Sequence, residues 1–199
     1  KMKAVFSISL MVALFFAAVF IVFSMPPIPQ DPAYHNFVDK RVYFNIKNFF
    51  DVSSNIFYIV VGIMGLMAVM KYKNAPTHFT HKREVFPFVI AFIGISFIGV
   101  GSAYYHLNPT NETLVWDRLP MTIGFMALIF IVLRERIHFK GDLPVLLLLL
   151  VMGAGSVWYW HMTEADGQGD LRFYILIQFF PMLLIPLVLL LFKAKYRGT

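Results

Sequence analysis

The stretch Val85–Leu133, "VFPFVIAFIGISFIGVGSAYYHLNPTNETLVWDRLPMTIGFMALIFIVL", decides the fold. Two apolar runs flank one short polar turn, "HLNPTNET". Each run is about the ~20 residues a helix needs to cross ~30 Å of hydrocarbon. Neither shows the two-residue alternation of a barrel strand, so the only membrane-spanning solution left is a helix. The pair therefore reads as a tight hairpin of two transmembrane helices. The second run is the weaker, because its uncharged part, Leu119–Leu133, is only 15 residues. To span the bilayer that helix must extend back past Asp117 and Arg118, which places a carboxylate at membrane depth.

The same reading extends in both directions. The chain has 199 residues, is 59% hydrophobic and only 14% charged; its mean hydropathy is +0.70. A water-soluble domain of this size carries about 25% charged residues. Six spans are expected, at Ala4–Phe23, Val52–Met70, Val85–Tyr105, Leu114–Leu133, Leu143–Trp160 and Phe173–Phe192. The expected fold is an all-α polytopic bundle in a single domain, 1–199. The first span follows "KMK", as a signal peptide would, but its run is long for one and no small-x-small cleavage site follows. An uncleaved span is expected. Cysteine is absent, which excludes disulfides and thiolate metal sites.

Lysine and arginine divide unevenly between the loops. One side holds 12 of them: Lys1, Lys3, Lys71, Lys73, Lys82, Arg83, Arg134, Arg136, Lys140, Lys193, Lys195 and Arg197. The other holds five: Lys40, Arg41, Lys47, Arg118 and Arg172. The positive-inside rule puts the first side, with the N-terminus, in the cytoplasm. The acidic residues divide the other way, three inside and eight outside. The long segment Ser24–Asp51, opening "SMPPIPQDP", reads equally as an ordered surface strap or a plain linker.

Polar groups are costly at membrane depth and face the bundle interior when they occur there. Ser102 and His106 lie one turn apart on one helix face. Pro109 turns the chain, and Asn108 or Thr110 can cap the next helix. Asp117 then lies level with His106. Each has an ordinary reading on its own: a solvated histidine, a packing serine or a capping aspartate. Their convergence at one depth points to a site.

Other histidines are weaker candidates. His78 and His81 form a His-x-x-His pair in a basic loop, and a solvated loop is expected there, as for His35 and His138. His161 ends the fifth span level with His106, as a possible zinc ligand. The sequon Asn111-Glu112-Thr113 sits too close to the membrane for glycosylation to be expected. Ser53, Ser54 and Asn55 read as interhelical hydrogen-bonding groups, or as support for the site.

Ser102-x-x-x-His106 followed by Asp117 and "LP" resembles the alkaline ceramidases, in a superfamily with the progestin/adiponectin receptors and GPI-remodelling lipid hydrolases. "NFFDVSSNIFYIVVG" (Asn48–Gly62) resembles the opening of the family's first shared helix. "GDLRFYILIQFFP" (Gly169–Pro181) is similar to bacterial ceramidase-like members, whose extra N-terminal helix Ala4–Phe23 resembles. The resemblance runs from about Asn45 to the C-terminus. It implies zinc-dependent hydrolysis of a ceramide-type amide to sphingoid base and fatty acid, with the bilayer and a membrane lipid as partners and no nucleic acid. His106 would be a zinc ligand, Asp117 the proton-transfer group and Ser102 a hydrogen-bond donor to the oxyanion or bound water. The family's other two zinc ligands come from a His-x-x-x-His motif on its last helix. The sequence contains no such motif, so it resembles a C-terminally incomplete member or a degenerate one, and the former is expected. The alternative function is a non-catalytic lipid-binding or receptor-like bundle of the same superfamily. "QDPAYHNFVDKR" (Gln30–Arg41) does not match the acidic calcium site of the eukaryotic enzymes, so calcium is not expected.

Overall fold

Helix ends in this computed structural model fall where apolar sequence gives way to capping and turn residues. The structure describes residues 2–75, 78–79, 81–137 and 142–194, so His138 lies outside it. The helices are α1 (Met2–Ser24), α2 (Phe49–Ser54), α3 (Ile56–Tyr72), α4 (Val85–Leu107), α5 (Asn111–Arg136), α6 (Asp142–Ala165) and α7 (Arg172–Leu191). No strand occurs among the described residues, and six helical segments are long and apolar enough to cross a membrane. The chain is an all-helical, multi-pass membrane bundle.

The expected spans are all present, with shifted ends. α5 begins three residues before the expected Leu114, because Thr110 caps it. The Thr110 side chain accepts from the Thr113 backbone N–H, and the Thr113 hydroxyl accepts from the Thr110 N–H. Asp117 and Arg118 thereby fall inside the helix. The second span is not one helix: it divides at Asn55 into α2 and α3. The polar run Ser53–Asn55 does not bond between helices, which corrects the expectation. Ser53 and Ser54 donate to the carbonyls of Phe50 and Asp51 three residues back, and Asn55 Nδ2 donates to the Asp51 carbonyl at 2.7 Å. Short polar side chains compete with the helix ladder in this way and favour a break.

In space α4 packs between α3 and α5, α5 meets α6 and α7, and α1 leans on α7. Without a hydrophobic driving force inside lipid, close helix approach depends on small residues. Gly101 provides the closest approach. A Cβ there would lie 1.9 Å from the Trp116 carbonyl oxygen and 2.7 Å from its carbon. Pro120 sits four residues after Trp116 and has no N–H to return to that carbonyl. The two residues therefore act together: Pro120 leaves the Trp116 carbonyl without its helical donor, and Gly101 lets α4 close onto it. This contact lies beside Ser102 and Asp117.

A buried cluster of Tyr105, Leu114, Val157, Trp160 and Tyr174 fills the end of the bundle that carries the site. Segment 25–48, here called the strap, is ordered across that end. Its start is pinned by Leu171 N–H donating to the Ile28 carbonyl (2.8 Å) and Arg172 Nη1 donating to the Met25 carbonyl (2.7 Å). Arg172 also pairs with Asp170 at 2.8 Å, and this guanidinium holds the Asp170 carboxyl down at about 2. Further along, Arg41 beside Asp39 keeps that carboxyl below the ordinary range, and Asp39 also accepts from the Phe50 backbone N–H.

Candidate active site

Ser102 and His106 occupy the last two turns of α4, and Asp117 lies in the second turn of α5. Ser102 is buried, at 8% exposure, while His106 and Asp117 are half-buried. The Asp117 carboxyl faces the Ser102 hydroxyl, with the His106 ring and the Arg118 guanidinium nearby. Asp51, at the start of α2, is a second carboxylate facing His106. The hairpin thus brings all three sequence-derived residues together. Asp117 is no cap, since Thr110 and Thr113 fill that role seven and four residues earlier.

The His106 ring is held from the strap side. Phe37 lies against it with centroids 4.4 Å apart, and Asn48 Nδ2 donates to its backbone carbonyl at 2.8 Å. Its Nδ1 is buried and has no hydrogen-bond partner. An orphaned imidazole nitrogen is the donor type zinc prefers. A closed ligand set is another matter: no cluster of three His, Cys, Asp or Glu suited to a metal occurs among the described residues. The fit to zinc is partial: His106 offers a free ring nitrogen, and no group of three such donors surrounds it among the described residues.

The remaining histidines take other places. His35 bridges the strap to both hairpin helices, with Nδ1 2.9 Å from the Tyr105 hydroxyl and Nε2 3.0 Å from Asn111 Oδ1. It is therefore not the solvated loop residue expected from sequence. The same bond engages the side chain of the sequon asparagine. His161 has a buried, unpartnered Nδ1 and rings of Trp158 and Trp160 beside it. His78 stacks on Tyr72 at 4.7 Å, and the His81 N–H donates to Glu84.

The model of the ceramidase family matches residues 35–191. The chain belongs to the ceramidase family. No curated protein and no solved structure matches it. The match spans the strap from His35, the α4–α5 hairpin and all of α7, so Ser102, His106 and Asp117 lie within the ceramidase region. Membership supports amide hydrolysis as the broad class of chemistry.

Sequence reasoning missed a ring of residues around these three. Arg118 had a readable signal, an arginine inside a span, which membrane energetics marks as functional by default. Gln30, Tyr34, Phe37 and Asn48 had none, because they meet the site across 58 to 88 residues of chain.

Proposed function

We propose that this ceramidase-family chain hydrolyses the amide of a ceramide-type membrane lipid to a sphingoid base and a fatty acid, with zinc as cofactor. The observation that carries the reading is the meeting of Ser102, His106 and Asp117 at one depth across the α4–α5 hairpin. A bundle embedded in the bilayer suits a substrate with two long chains, and its polar end suits the headgroup.

The chain's own residues account for the proton movements. Asp117 takes a proton from the attacking water as the new C–O bond forms at the amide carbonyl. The Ser102 hydroxyl donates to the oxyanion that develops there. When the C–N bond breaks, the proton on Asp117 passes to the leaving amine. The low dielectric around the half-buried pair strengthens both interactions relative to water. His106 would contribute its free ring nitrogen to zinc, which when bound in such sites acidifies water and polarises carbonyls.

Purified protein in zinc-supplemented liposomes should release fatty acid from ceramide, and a chelator should abolish that release. Ceramide bound but never cleaved, with or without zinc, would defeat the hydrolase reading and favour the non-catalytic lipid-binding one.

The site is proposed to face away from the cytoplasm, in keeping with the 12-to-5 division of Lys and Arg. Single cysteines at Lys73 and Asp166, both exposed and at opposite ends of the bundle, should react with an impermeant thiol reagent from opposite faces. Reaction of Lys73→Cys from outside intact cells would reverse the orientation.

A further inference from the structure

Arg118 is the most deeply buried cation described, at 5% exposure. Among the described residues no carboxylate lies within ion-pair distance of it. Removing a guanidinium from water without a direct ion pair is costly, even with the Asp117 carboxyl as a near neighbour. The cost is offset by three aromatic rings and one short hydrogen bond. The guanidinium carbon lies 4.2 Å from the Trp160 ring centroid, 4.6 Å from Tyr174 and 5.7 Å from Tyr34. Nη2 donates to Gln30 Oε1 at 2.6 Å, while Nη1 is buried without a partner.

These partners divide by origin. Trp160 and Tyr174 belong to α6 and α7 and stay with the bundle. Gln30 and Tyr34 belong to the strap. The same strap carries His35, bonded to Tyr105 and Asn111, and Phe37, packed on the His106 ring. The Gln30 backbone N–H also donates to Glu164, whose Oε1 receives Trp160 Nε1. Closing the strap gives Arg118 a hydrogen bond and a third ring but removes it from water. Opening returns hydration to the charge.

We propose that Arg118 is a positioning residue acting through the strap: its hold on Gln30 and Tyr34 sets the closed position in which Phe37 covers His106, and its release opens the outer mouth to the polar end of a lipid. The proposal rests on the hydrolase reading in taking Ser102, His106 and Asp117 as the centre that is covered.

The chain has no cysteine, so paired spin labels can be placed at Val38→Cys, fully exposed on the strap, and Asp166→Cys, exposed on the α6–α7 turn. The parent should give one dominant distance. Gln30→Leu removes the acceptor at nearly constant size and should add a longer-distance population. Arg118→Lys, which keeps the charge but loses the planar fork and stacking, should do the same. Unchanged distances in Gln30→Leu would overturn the proposal, and that variant decides it if Arg118→Lys fails to fold. In the lipid assay Gln30→Leu should lower KM by up to roughly tenfold, the scale of one charge-assisted hydrogen bond shifted toward the open strap, with kcat within about twofold. A fall in kcat at constant KM would also overturn it. Absence of hydrolysis by the parent defeats the functional reading instead and leaves the label distances to judge the strap.

Discussion

Asp117→Asn is expected to lower ceramide hydrolysis by at least ~100-fold, the scale of general acid–base catalysis, with folding retained. Asparagine keeps the size and one acceptor oxygen but cannot take a proton. A structural role for this carboxylate has little left to do. The start of α5 is already capped by Thr110 and Thr113, and the Asp117 carboxyl faces Ser102 and His106. The His106 ring should keep its position, because Phe37 packs on it and Asn48 holds its backbone carbonyl, independently of this side chain. Turnover near that of the parent would eliminate the assigned role. A loss of thermal stability in step with activity would instead identify Asp117 as a packing residue.

Gly101→Ala is expected to damage both stability and activity, although it adds one methyl group. The new Cβ would meet the Trp116 carbonyl, 1.9 Å away, and that neighbour is backbone and cannot rotate aside. The two helices must separate by an ångström or so at the point where Ser102 faces Asp117. Overpacking of this kind costs about 1–3 kcal/mol, or roughly 2–12 °C in Tm for a chain of this size. A displacement of ~1 Å between reacting groups costs about 100-fold in rate. Gly155→Ala is the control. It lies inside α6 with nothing within 4 Å of its Cβ, so it should be neutral or more stable by up to ~1 kcal/mol. Equal behaviour of the two variants in melting and turnover would show that the close approach at Gly101 has no consequence.

Membrane insertion was legible in the sequence because the bilayer imposes a local rule. Each span must satisfy its own backbone and present about 20 apolar residues, and both conditions are written in consecutive residues. The depth of Asp117 followed from the same rule, since Leu119–Leu133 is too short to cross alone. Ser102, His106 and Asp117 were legible as a group because a short turn joins their helices, so that spacing along the chain nearly fixes distance in space.

Other features followed no local rule. The roles of Ser53–Asn55 depended on whether their hydroxyl and amide groups turned to another helix or to carbonyls one turn back, and the tertiary structure decided for the latter. The strap was undetermined because "MPPIPQDPAYHNF" has neither periodicity nor a local partner. Its order comes from Arg118, Tyr105, Asn111, Glu164 and Leu171, all at least 70 residues away in the chain. The sequence by itself determined which helices are long and apolar enough to cross a membrane and which polar groups lie level with one another, through the cost of burying backbone and charge. Only the tertiary structure decided what covers those groups, because contacts between distant segments depend on how helices meet and no single segment encodes that.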